Sequence, residues 1–388
     1  MPVELVFVGD LMLSAADPGS YFDPARVLLA GADAAIGHVE WPHTDRGQVY
    51  AVDIPAPAVP PAHLDALADC GFAVATLAGN HMFDQGPFGV QDSIDGLRQR
   101  GIVPVGAGMT VAEARRPAII ERGGLRLGFL SYNAVGPRES WATSVKAGVA
   151  PVRVHAHYEL DIASPGSPPT EHTAADTESA ELLQADIEAA RAEVDVLSVC
   201  LHKGMGFVHA QLAQYERPLA HLAVDAGADI VIGHHAHILR GVEVYRGKPI
   251  FHGINHFVAA YTEQTDPLSP AAHRPRPRRA PSLDFFTVDR EVPHFPFPSE
   301  SRHTMIARVH ADADGIVDAG YVPCYINTSA QPVTFGDGAD GKATAAYVER
   351  ITAEVGLPAT FRWTSAGPVF FERGTAAAQL VATDAGPS

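Results

Sequence analysis

The stretch His234-His235-Ala236-His237 sets three imidazoles at the end of an apolar run, IVIG. Imidazole carries protons near neutral pH and is a borderline metal ligand, so such a cluster suits acid–base work or metal ligation. A metal site needs further donors, and other apolar runs supply them. VFVGD ends in Asp10, AAIGHVE in His38 and Glu40, ATLAGNH in Asn80 and His81, and LSVCLH in His202. Along an extended chain, residues i and i+2 share a face. His38 and Glu40 are therefore expected on one side, and His235 and His237 on one side. Mixed Asp/Glu/Asn/His donors without cysteine suit Zn, Mn or Fe rather than Ca or a thiolate site. The set exceeds what one tetrahedral ion needs, and a carboxylate such as Glu40 can bridge two ions about 3.5–4 Å apart. Singly, each residue has an ordinary explanation: Asp10 as a turn cap, Asn80 in a left-handed turn, His202 as a core histidine. Together, on five strand ends, they point to a site.

The elements that must position these residues alternate along the chain. Strands are expected at 3–9, 33–40, 72–81, 194–202 and 229–233, and helices near 24–30, within 60–71, and at 90–101, 178–193 and 210–226. Residues 117–133 read as a hairpin turned at Gly123-Gly124, and 241–258 as a second one turned at Arg246-Gly247-Lys248. The Ser/Pro/Thr-rich stretch 161–177 reads as a loop, a strand resumes at 304–312, and the last residues read as frayed. Strand–helix alternation predicts an α/β layered fold, and the hairpins predict mixed rather than all-parallel sheets. The expected organisation is a core over 1–262, a Pro/Arg-rich excursion or lid over 263–304, and C-terminal strands and a helix over 305–388 completing the same domain.

With 388 residues, 46% hydrophobic and 19% charged, the chain can bury a full core as one large domain or two. A formal charge of −17 argues against a nucleic-acid partner, because a polyanion requires a basic face. A small anionic substrate held by metal ions and a few cations remains compatible. Cys70, Cys200 and Cys324 are far apart and odd in number, so neither a disulfide framework nor a CxxC zinc site is expected. The opening MPVELVFVGD lacks the basic segment and long apolar core of a signal peptide. No stretch reaches the roughly 20 apolar residues of a membrane-spanning helix. A cytoplasmic protein without an integral membrane segment is the expectation.

The order of the motifs GD, HVEWP, GNHMFDQG, LHKG and GADIVIGHHAHILRGVEVYRGKPIFHGINHFV resembles the CapA-type poly-γ-glutamate capsule biosynthesis proteins, a branch of the calcineurin-like metallophosphoesterases. The resemblance covers roughly residues 3–258 and is most specific in the last stretch. It implies a four-layer α/β/β/α sandwich of two mixed sheets with a dinuclear metal site at the strand ends. Asp10 and His237 would hold one ion, Glu40 would bridge, and Asn80, His202 and His235 would hold the second. His81 would be the general acid at the leaving group, and His234 would lie outside the ligand set or at the surface. Three departures fall at the expected pocket. Where the family has NLE this chain has HVE, so His38 is positioned to give the Asp10 ion an extra imidazole. SLGNF becomes GINHF, introducing His256, and the family's HWG motif becomes HKGMGF, introducing Lys203. Both new side chains are candidates for binding substrate, Lys203 by pairing with a phosphate or carboxylate.

The reading that follows is a hydrolase with two divalent transition-metal ions, Mn, Zn or Fe, acting on a phosphoester or an amide bond of γ-glutamyl type. Its substrate would be a small anionic or glutamyl-containing molecule. The alternatives are a capsule assembly or binding factor for poly-γ-glutamate without phosphatase chemistry and, ranked last, a redox di-metal enzyme.

Overall fold

A computed structural model of the chain describes residues 2–50, 56–159, 169–266, 287–335 and 338–374. The Pro/Arg-rich part of the expected excursion (267–286) and the C-terminal tail lie outside the described residues. The chain opens with β1 (Val3–Met12), α1 (Arg26–Gly31), β2 (Ala34–Val39), α2 (Asp65–Asp69), β3 (Phe72–Thr76), α3 (Gly86–Gln99) and β4 (Val103–Val105). Then come β5 (Ala107–Gly108), α4 (Val111–Ala114) and the hairpin β6 (Ala118–Arg122) and β7 (Leu125–Asn133). Next are β8 (Gly148–Val149), β9 (Val154–Glu159), β10 (Thr170–Ala175), α5 (Thr177–Arg191), β11 (Val196–His202), α6 (Glu216–Asp225) and β12 (Ile230–His234). The remainder is β-rich: β13 (Val242–Tyr245), β14 (Lys248–Phe251), β15 (His256–Ala259), β16 (His303–Asp312), β17 (Gly315–Ile326) and β18 (Pro332–Thr334). It closes with α7 (Ala339–Glu354), β19 (Arg362–Thr364) and β20 (Gly367–Glu372).

Two mixed sheets dominate. The larger has the order β19-β20-β17-β16-β1-β2-β3-β4, with β15 on β1 and β18 on β17; the smaller has the order β13-β14-β12-β11-β7-β6. β1 to β4 pair in parallel, as do β7, β11, β12 and β14, while β16, β17, β20 and β6 pair antiparallel. Side-chain alternation sorts the core into layers. Phe7, Ile36 and Val74 of the larger sheet pack with Phe129, Val196 and Ile232 of the smaller one. Their neighbours Val6, Val8 and Ala75 turn outward onto Leu29, Leu67 and Ile94 of α1, α2 and α3. On the far side, Val199, Leu201 and Val231 meet Leu183, Ile187 and Leu219 of α5 and α6. This is a four-layer α/β/β/α sandwich. Strands covered on both faces explain why β1 and β11 read as near-continuous apolar runs. Helix α5 starts where Asp176 accepts from the Ser179 N–H at 3.0 Å, an N-cap. Among the described residues no helix is long and apolar enough to cross a membrane.

Three local expectations are corrected. The segment expected as a loop at 161–177 contains β10, which pairs with β9 in an antiparallel ribbon. Helix 210–226 starts only at Glu216, because the chain first turns through Phe207 and Ala210, both at positive φ. The second hairpin stops at Phe251: β15 leaves it and joins β1 in the other sheet.

That departure carries the main chain across the sandwich. Ile254 N–H donates to the Gly233 carbonyl at 3.0 Å, and Asp10 N–H donates to the Asn255 carbonyl at 3.1 Å. The crossing is tight on both sides. A Cβ on Gly9 would sit 2.0 Å from the Asn255 carbonyl oxygen, and one on Gly233 would sit 2.0 Å from that of His252. Both glycines directly precede site residues, so the close approach positions the site. Gly9→Ala must push main chain aside and is expected to lower stability by at least about 1–3 kcal/mol. Gly31→Ala, with nothing within 4 Å of the new methyl, should hold or raise stability. Urea denaturation of both variants checks the contrast.

Candidate metal centre

Sheet register assembles the site. In the larger sheet Asp10 lies opposite His38 on one side and His256 on the other. In the smaller sheet His202 lies opposite Asn133 and His234. The two rows face each other: the His38 ring centroid is 4.6 Å from that of His202 and 4.9 Å from that of His234. Asp10 is fully buried; its Oδ2 accepts from the His235 N–H at 3.3 Å, and its carboxylate lies 3.4 Å from Nδ1 of both His234 and His237. His237 Nε2 is 3.5 Å from Glu40 Oε1. His202 Nε2 is 2.8 Å from Asn80 Oδ1, and its ring centroid lies 4.8 Å from that of His235.

Two groups of donors converge closely enough to hold an ion. Ligand atoms of Asp10, Glu40 and His237 lie within 4.8 Å of one another, as do those of Asp10, His38 and His202. Both groups share Asp10. Buried atoms here and beside them fit a cation, because many have no hydrogen-bond partner among the described residues: Asp10 Oδ1, Glu40 Oε2, His38 Nε2, and Nδ1 of His202, His234, His235 and His237. A buried polar atom left unpaired costs about 1–3 kcal/mol, and here seven of them sit together. His38 is held by its other nitrogen, Nδ1, 3.0 Å from Thr76 Oγ1.

Burial dominates the electrostatics. It raises the Asp10 carboxyl above its ordinary pKa, and raises Glu40 well above, with the nearby Asp10 charge adding to the effect. It pushes His38, His202 and His237 well below the ordinary imidazole range, helped by neighbouring imidazoles, and His235 down to about 4. Neutral imidazole is the ligating form, and a bound cation favours the ionised carboxylates. The donor set is thus poised to take up a metal.

Several sequence expectations change here. His235 and His237 do not share a strand face: β12 ends at His234, and both residues have positive φ, 85° and 52°. A sharply turned main chain, rather than strand alternation, aims them. His234 is buried against Asp10 and His38 and is not at the surface. Lys203 is withdrawn from any substrate, since its fully buried ammonium bonds Glu216 Oε2 at 2.8 Å and the His252 carbonyl at 3.2 Å. His256 is likewise fully buried, 5.9 Å from the His237 ring and walled by Phe295 and Phe297. The ring has no exposed surface, and His256 lies opposite Asp10 in the sheet register. His81 sits in the loop after β3, Nδ1 2.6 Å from Asp84 Oδ2. Asp84 was missed, although the i, i+3 spacing within GNHMFDQG was a usable signal. Also missed was the aromatic wall of Trp41, Phe207, Tyr261, Phe295 and Phe297, which packs on the Asp10–His237 side.

The model of the bacterial capsule synthesis protein family PGA_cap matches residues 4–261, well over half of the chain and all of the centre. The chain belongs to that family. A relative, a probable polyglutamine synthesis accessory protein of Mycobacterium tuberculosis, is 33% identical over 192 residues, 48% of this chain and 45% of that protein. The PGA biosynthesis protein CapA of Bacillus subtilis is 26% identical over 270 residues, 65% of this chain and 62% of its own. The chain spans about half the length of the curated relatives it matches. Among solved structures it is similar to a hypothetical protein from Thermus thermophilus, with 13% identity and a TM-score of 0.45, covering 83% of this chain and 98% of that one. It is also similar to the calcineurin-like phosphoesterase YfkN of Bacillus subtilis, with 12% identity and a TM-score of 0.36, covering 91% and 97%.

The imidazole-rich donor set should favour Zn or Co over Mg or Ca, measured by elemental analysis after competitive dialysis of metal-free protein. His38→Asn tests the added imidazole opposite Asp10. Loss of a direct ligand should weaken binding by far more than about 10- to 100-fold, the range for a residue that only supports a ligand.

Proposed function

We propose that the chain is a metal-dependent hydrolase with a dinuclear centre where the two sheets meet, cleaving a phosphoester or a γ-glutamyl-like amide. The observation that carries this reading is the pair of donor groups sharing Asp10, with their unpaired atoms buried. In this assignment Asp10 and His237 would hold one ion, Glu40 would be shared, and Asn80, His202 and His235 would hold the second, with His38 as an added imidazole; the donor groups themselves share Asp10 and set His38 with His202. When bound, divalent ions such as Zn, Mn or Fe supply Lewis-acid polarisation of the scissile bond and an activated water.

The chain's own contribution to proton transfer falls to His81. It belongs to neither donor group. With Asp84 accepting from Nδ1–H at 2.6 Å, the ring's orientation is fixed. Nε2 is then the nitrogen through which a proton reaches the leaving atom. Asp84 is itself fixed, accepting from the Ala56 N–H at 2.7 Å. The ring is a quarter exposed, so it can be reprotonated from solvent.

The relatives' names support a small anionic or glutamyl-containing substrate. They also favour the second reading, an assembly or binding factor for a glutamate polymer without hydrolysis. A panel of phosphate esters and γ-glutamyl amides separates the two, since a binding factor turns over neither. His81→Ala should keep its metal content while turnover falls roughly 10²- to 10⁴-fold, the usual range for a general acid. Good leaving groups should shrink the loss. Metal lost together with activity would make His81 a ligand instead.

A further inference from the structure

Arg240 is the largest fully buried side chain among the described residues, 1% exposed. A buried cation ordinarily pairs with a carboxylate, because desolvation costs several kcal/mol per ion. Here, among the described residues, the guanidinium bonds main chain: it donates to the carbonyls of Met205 and Val208. Those two carbonyls bracket Phe207.

Phe207 is held in the left-handed region at φ 63°, a strained conformation for a bulky residue. Its N–H donates to the Ala236 carbonyl at 2.8 Å, between His235 and His237. Its ring lies over His237 with centroids 5.5 Å apart and planes 24° from parallel. The same loop is gripped from outside by His209, which bonds Glu300 and Glu354.

His237 has an unusual need for such support. Its Nδ1 faces Asp10 and its Nε2 faces Glu40. A metal-binding histidine normally gives one ring nitrogen to an outer partner that fixes its orientation. With both nitrogens facing carboxylates of the centre, orientation must come from the ring faces and the main chain. Phe207 covers the ring, Phe297 lies 5.4 Å away, and Ser301 Oγ donates to the His237 carbonyl at 2.6 Å.

We propose that Arg240 is a positioning residue of the metal centre, acting through Phe207: it clamps the 205–208 turn so that the phenyl ring fixes His237 between Asp10 and Glu40. The proposal rests on the metal-centre reading above. It accounts for a buried arginine bonded to main chain and a phenylalanine held at positive φ.

Phe207→Gly is the informative variant, because glycine adopts positive φ without strain while the ring is lost. Zn²⁺ affinity is measured by competition with a chromophoric chelator, alongside the thermal midpoint of the metal-free protein. The expected result is Zn²⁺ binding weakened about tenfold, the low end for groups that orient a ligand, in a variant whose metal-free protein still unfolds cooperatively. A lowered midpoint with unchanged affinity would mean a packing role only and would overturn the proposal. Arg240→Gln should weaken binding similarly and add nothing in the Phe207→Gly background, as expected for residues acting in one chain of contacts. Additive losses would remove Arg240 from that chain. Wild-type protein that binds no Zn²⁺ would overturn the underlying centre, an outcome distinct from a wild type that binds tightly and a Phe207→Gly variant that binds equally well.

Discussion

Asp10 and Glu40 are carboxylates taken wholly out of water, 0% and 1% exposed, and the site is organised around that fact. Removing a carboxylate from water costs several kcal/mol even after relaxation. The protein offers partial compensation: one main-chain N–H at 3.3 Å and two imidazole nitrogens at 3.4 Å for Asp10, and His237 at 3.5 Å for Glu40. His237 is itself buried and pushed well below the ordinary imidazole range, so it compensates a negative charge poorly. Burial thus favours the neutral acid and the neutral base, and only the second is a ligating form. A divalent cation would restore the carboxylates as anions and use the imidazoles as neutral donors.

The fold makes this concentration of donors possible by bringing two sheets to one point. The segment 252–255 leaves β14 in the smaller sheet and enters β15 in the larger. On the way it bonds Gly233 and Asp10, the ends of β12 and β1. The two strand ends are therefore tied through the same few peptide groups, and Asp10 and His234 keep their spacing. Glycine at 9 and 233 is what lets the main chains approach. The same crossing places His256 beside Asp10, where a strand continuing the hairpin would have carried it away.

Much of this was legible in the sequence. Buried parallel strands advertise themselves as unbroken apolar runs, and their polar ends marked Asp10, His38, Glu40, Asn80, His202 and His234–His237. What failed were inferences that needed tertiary context. Strand parity predicted a shared face for His235 and His237, but the strand ends one residue earlier and the backbone turns through positive φ. Lys203 looked like a substrate cation because its partner Glu216 lies 13 residues away at the start of α6. His256 looked available because Phe295 and Phe297, which enclose it, come from a stretch with no periodic signal. The β9–β10 ribbon was invisible because its residues are polar and mostly exposed, so burial leaves no alternation to read.

The corrected placements bear on which substrate the centre suits. A surface that gathers a glutamate polymer by charge needs cations aimed outward. Among the described residues, Lys203 pairs with Glu216, Arg240 bonds the Met205 and Val208 carbonyls, and Arg302 pairs with Asp289 and Glu291. On the Asp10–His237 side the wall is aromatic, with Phe207 and Tyr261 half-buried at its edge. Negative charge on a substrate would therefore be met by the metal-binding cluster itself and by His81, and the flanking portion by aromatic surface. Among the described residues the site thus joins a buried donor cluster to an aromatic wall, and the crossing segment 252–255 fixes the distance between them.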